Sequence, residues 1–72
     1  MNKMLSPKVH ERLKQEGAIL RKRRENLALS RQVVAEALEC SASLIQHIEN
    51  GKDNNFVIIE LLRKYYDFCE GR

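Results

Sequence analysis

A chain of 72 residues, 43% apolar and 32% charged, is long enough for one domain with a modest core and too apolar to be disordered. No apolar run approaches the ~20 residues of a membrane helix, and residues 1–5 lack the apolar stretch of a secretory signal. The two cysteines and two histidines have no CxxC spacing and fall short of the about four ligands of a zinc site, so no metal, cofactor or membrane is expected and the compartment is cytoplasmic.

The net charge of +3 hides a gradient. Residues 1–24 carry eight basic and two acidic side chains, and residues 25–72 carry five and eight. The peak at Arg21-Lys22-Arg23-Arg24 suits a polyphosphate partner; a solvated helix face is the plainer alternative.

The elements follow from periodicity. Residues 1–6 read as a mobile arm, and 7–72 as one domain. Ser6-Pro7 starts a helix, with Ser as N-cap and Pro at the first helical position. Val9, Leu13, Leu20 and Leu27 carry it to about Asn26, with Gly17 as the point that weakens it and could divide it. Ser30 caps a second, short helix with Val33, Val34, Ala37 and Leu38 as its apolar stripe. Ser41 caps a third, burying Ile45, Ile48 and Leu44, and Asn50-Gly51 ends it. After the polar Lys52-Asp53-Asn54-Asn55, a fourth helix places Ile58, Leu61, Leu62, Tyr65, Phe68 and Cys69 at helical intervals. No strand-like alternation lasts, so the fold class is all-α. Cys40 reads as a half-buried apolar residue near a turn, and Cys69 as a thiol kept reduced.

The loop between the second and third helices is too short for an antiparallel hairpin, so their faces meet at a steep angle, as in a helix-turn-helix. Outward, the third helix offers Ala42, Ser43, Gln46 and His47, which are short or hydrogen-bonding and include no acid. A DNA major groove admits one helix and is read by such groups.

The stretch from Leu29 to Leu38 resembles the second helix of the phage-repressor and Cro class of regulators (the XRE family). Ser41-Ala42-Ser43-Leu44-Ile45-Gln46-His47-Ile48-Glu49-Asn50-Gly51-Lys52 resembles its recognition helix and exit. The resemblance implies a compact, lambda-repressor-like bundle of four to five helices with an extended first helix. It implies that Ala35 is the small residue where the two helices cross, and that Arg24 bridges Glu49. It places Ala42, Ser43, Gln46 and His47 at base edges; Ala42 stands where the family often has a longer polar reader and can still touch a thymine methyl, and His47 has a phosphate contact or plain solvent exposure as its alternatives. It places Arg31, Ser30, Ser41, Asn50, Lys52, Arg23 and Arg24 at backbone phosphates. Where the family's turn carries Gly, this chain has Glu39, at a cost of roughly 1 kcal/mol if its backbone is left-handed.

Tyr65, Tyr66 and Phe68 crowd the fourth helix beyond what one core-facing side buries. Tyr65 and Phe68 are expected inside, leaving the remainder for a two-fold contact made by helix four or the extended first helix. The resemblance implies a homodimer on inverted-repeat double-stranded DNA, with half-sites about 34 Å apart. It points to a dimeric transcriptional repressor of its own operon in a phage or other mobile element, as controller, antitoxin-type and anti-CRISPR-associated regulators are. No nucleophile–base set, phosphate-cradling glycine loop or small-molecule site supports an enzyme. The competing reading is a protein-interaction module or antitoxin whose main partner is another protein. Steep loss of affinity with salt would mark DNA binding.

Overall fold

The computed structural model describes residues 7–71. Four helices follow in order: α1 (Pro7–Asn26), α2 (Arg31–Leu38), α3 (Ala42–Glu49) and α4 (Phe56–Cys69), with no strand among the described residues. The expected arm over residues 1–6, and the Ser6 cap with it, lie outside the described residues.

Each short helix begins where a side-chain oxygen satisfies a free backbone N–H. Ser30 Oγ accepts from Val33 N at 3.1 Å, and Ser41 Oγ accepts from Leu44 N at 3.1 Å. Asn55 Oδ1 does the same for Ile58 N at 3.1 Å, while Asp53 Oδ1 accepts from Asn55 N at 2.9 Å. This Asx-type cap starts α4 at Phe56, two residues ahead of its first inward apolar position, so Phe56 and Val57 are helical but exposed.

α1 is unbroken through Gly17. It leaves through Ala28, which is left-handed at φ 57° and turns the chain toward α2 without a glycine. The core draws on all four helices: Leu20 from α1, Val34 and Ala35 from α2, Ile45 and Ile48 from α3, and Ile59, Leu62 and Tyr66 from α4. Of the stripe expected on α2, Val34 is buried and Leu38 packs against the core, whereas Val33 is 47% exposed and Ala37 also faces outward.

The aromatic cluster of α4 corrects the expected division. Tyr66 is fully buried and cannot form a surface contact, whereas Phe68, expected inside, is 79% exposed. Tyr65 is half-buried at the edge of the core, its ring 6.0 Å from that of Tyr66. The reason is register. Ile59, Leu62 and Tyr66 share one face of the helix, three and four residues apart, and Phe68 lies well around the helix from it. No helix among the described residues is long and apolar enough to cross a membrane.

Candidate nucleic-acid interface

The angle between α2 and α3 is set at Glu39, whose φ of 57° and ψ of 46° put it in the left-handed region. The chain turns there tightly enough for Cys40 N to donate to Ala35 O at 2.9 Å and Glu39 N to Glu36 O at 3.2 Å. These two bonds satisfy carbonyls that the end of α2 would otherwise leave open. Ala35 is buried in the core cluster, where a larger side chain would have to displace its neighbours.

α3 is held from behind by charge. Arg24 and Glu49 are both buried, at 8% and 4% exposure. Arg24 Nε donates to Glu49 Oε2 at 2.6 Å and Nη2 to Oε1 at 3.2 Å, while Nη1 donates to the Leu29 carbonyl at 2.8 Å. One guanidinium thus ties α1, the α1–α2 link and the end of α3 together. The hydrogen bonds to Glu49 raise the pKa of Arg24 against the desolvation that opposes them. Arg31, at the start of α2, donates from Nε to the same carboxylate at 3.0 Å. Glu49 is therefore shared by two arginines, and the second of them was not legible in the sequence. The buried position of Arg24 corrects the expectation that it grips phosphate.

Arg23 is engaged elsewhere. It donates to Asp67 Oδ1 at 2.6 Å and to Glu70 Oε1 and Oε2 at 3.0 and 3.1 Å, and its guanidinium lies 5.6 Å from the centre of the Tyr66 ring. The bonds to Glu70, above all, raise its pKa. These bonds join α1 to the end of α4, so the Arg23 guanidinium, expected at phosphate, is already partnered within the protein. Arg21 pairs with Glu25 at 2.9 Å, so three of the four cations in the basic run have partners within the protein. The sequence makes the run a candidate polyphosphate site because the partners of Arg23 and Arg24 lie 25 or more residues away; only the Arg21–Glu25 pair is local.

Ser43, Gln46 and His47 are exposed on α3. Ala42 is half-buried and packs against the core, so the outward set narrows to the other three. The one acid of α3, Glu49, is turned inward. Around this face lie the exposed Ser30 and Ser41, the half-buried Arg31, and the exposed Asn50 and Lys52 at the exit of α3. Both serine hydroxyls accept from the backbone, which leaves their O–H free to donate outward. The arrangement is a helix with a small polar, acid-free face, flanked at both ends by donors and cations.

Two glycines set how closely α1 supports that helix. A Cβ on Gly17 would fall 2.3 Å from Ile48 O and 2.6 Å from Glu49 O, both backbone atoms. Gly51, at φ +74°, ends α3 so close to α1 that a Cβ would fall 2.6 Å from Lys14 Cα. Asn50 stays right-handed at φ −88°, so Gly51 alone makes the left-handed exit. In the sequence Gly17 is a weak point in α1. A glycine inside an otherwise strong helical pattern is also the signal for close backbone approach, and here it is that.

These features define a helix-turn-helix DNA-binding domain. Residues 17–69 match the family described as Helix-turn-helix domain, and the chain belongs to it as a domain of the XRE-like type, a DNA-binding regulator. Comparison with curated proteins and with solved structures finds no match.

Proposed function

We propose that the chain is a sequence-specific transcriptional regulator that binds an inverted-repeat operator in double-stranded DNA as a homodimer and represses its own operon in a phage or other mobile element. The supporting observation is the outward face of α3. Ser43, Gln46 and His47 are exposed there, while the only acid of the helix is sequestered between Arg24 and Arg31. A groove-lying helix must present hydrogen-bonding groups to base edges and no unpaired negative charge toward phosphates. Ser43, Gln46 and His47 are the base-reading set. Ser30, Ser41, Asn50, Lys52 and the free edge of Arg31 hold the backbone on either side. The repressor sign and the mobile-element setting rest on the resemblance of residues 29–52 to small phage-type regulators.

Footprinting on the chain's own upstream region tests the reading directly. In the recovered site, Gln46→Ala relaxes preference at one base pair, worth about 1–3 kcal/mol of discrimination. Lys52→Ala weakens all sequences alike and lowers the salt slope by about 1. Arg31→Ala is the poorer phosphate probe, because Arg31 also holds Glu49. If Ser43, Gln46 and His47 can be replaced together with no change in duplex recognition, the reading is wrong.

A further inference from the structure

Among the described residues seven large apolar side chains are exposed, and four of them, Phe56, Val57, Leu61 and Phe68, lie on α4. Three of these four form a line. Val57, Leu61 and Phe68 recur with Lys64 at intervals of three or four residues, on a face turned away from Ile59, Leu62 and Tyr66. Their exposures are 68%, 39% and 79%. The half-buried Ile58 and Tyr65 border this line on the side away from Lys64, so the apolar surface of α4 continues from the core into solvent. Such a stripe marks an interaction surface.

We propose that this stripe joins two copies of the chain, α4 packing antiparallel against α4 of the partner about a two-fold axis. The inference rests on the dimeric reading above and gives it a location. The stripe is self-complementary in that direction. A two-fold contact presents the same patch from both sides, so what one end offers the other end must accept. Running antiparallel, Val57 meets the partner's Phe68, and Leu61 meets the aliphatic stem of the partner's Lys64. The Lys64 ammonium then comes beside the partner's Glu60. Lys64 has no ion pair among the described residues, and Glu60, with its side chain 55% exposed, has only the neighbouring Arg63 at 3.0 Å. The charges at the border of the stripe therefore match across the axis, which an unrelated apolar partner would not require.

The area sets the strength. With on the order of 200 Å² for a large aromatic side chain, the stripe and the Lys64 stem offer roughly 400 Å² per copy, so a pair buries about 800 Å². Stable interfaces bury ~1,200–2,000 Å². The dimer is therefore weak alone and is completed when two adjacent half-sites hold both copies.

Sedimentation velocity over a concentration series, together with binding to a half-site and to a full inverted-repeat duplex, tests this. Wild type shows a concentration-dependent monomer–dimer equilibrium. The variant carrying Leu61→Glu and Phe68→Glu stays monomeric, keeps the helical circular dichroism and binds a half-site as wild type does. It loses roughly 10-fold or more on the full site. Glu60→Lys and Lys64→Glu each weaken the dimer roughly 10-fold, and the doubly swapped chain recovers it. If wild type dimerises and the Leu61/Phe68 variant dimerises equally well, the interface is overturned while the dimeric reading stands. If the double swap is no better than either single swap, the antiparallel register is overturned. If wild type stays monomeric at every concentration and fills the two half-sites independently, both the interface and the dimeric reading fall. Loss of half-site binding in the Leu61/Phe68 variant also overturns the proposal, by placing the stripe on the DNA face.

Discussion

Arg23 and Arg24 are neighbours in the chain and have opposite surroundings. About 100° of helix rotation separates them. Arg24 is turned into the interior, where Glu49 and the Leu29 carbonyl are its partners and little water reaches it. Arg23 lies at the rim, its side chain 21% exposed, against the half-exposed Asp67 and the less exposed Glu70. Both make short, multiply bonded ion pairs, and distances alone would rank them as equals. The dielectric around them does not. A buried charge left alone cannot recruit water, whereas a rim charge can. Breaking the first pair leaves a buried carboxylate short of a partner, whereas breaking the second leaves charges that water can reach.

The largest test of that contrast is Arg24→Ala, which strands the Glu49 carboxylate in the interior with only Arg31 beside it and destabilises by about 3–5 kcal/mol in urea denaturation. A loss under 1 kcal/mol would break the distinction. Gly17→Ala probes the same junction without touching charge. Its methyl must displace backbone carbonyls of α3, at a cost of about 1–3 kcal/mol and with a shift of the recognition helix that footprinting would register. Tyr66 sits beneath both arginines. Burial chiefly, and the negative charge of Glu49 next, push its phenol up to about 12 from a usual value near 10. A raised folded pKa means that this contribution to stability is complete below pH 10 and is lost as pH rises from 10 toward 12. Denaturation followed across that window should show the decline, and Tyr66→Phe should flatten it. At pH 7 the same change is neutral or slightly stabilising, because Tyr66 Oη is buried with no hydrogen-bond partner among the described residues. Glu39→Gly releases a left-handed backbone strain and raises stability by about 1 kcal/mol. Arg23→Ala closes the series at about 1 kcal/mol or less, and 1 M salt should erase most of its effect while leaving that of Arg24→Ala in place.

Much of the fold was legible because the signals are local. Ser30 and Ser41 announce two helices by cap chemistry, and Gly51 announces the exit of α3 by its backbone freedom. The pairing of Arg24 with Glu49 was reached through resemblance, since nothing local connects residues so far apart in sequence. What escaped is what depends on rotation about a helix axis. Tyr66 and Phe68 are two residues apart, about 200° around the helix, so burying one exposes the other, and apolar spacing alone does not choose between the two faces of α4. The cap at Asn55 is hidden in the sequence because Phe56 and Val57, which follow it, face solvent and do not join the inward pattern. Arg21 pairs with Glu25 one turn on in its own helix, a local pair, but the fates of Arg23 and Arg24 required knowing which acids α4 and α3 bring near, a tertiary matter that charge counting cannot reach.

The bare contact at Gly17 has a consequence for how such a regulator changes over generations. Where side chains separate two helices, a substitution can tilt one against the other by a few degrees, and new binding preferences arise by reorientation. Here the carbonyls of Ile48 and Glu49 rest directly on the spine of α1, with no side chain between them to enlarge or trim. The recognition helix has one seat. New operator preferences must therefore arise by exchanging the groups it displays, and lineages that keep this glycine should differ in operator sequence far more than in the path the protein takes across its DNA.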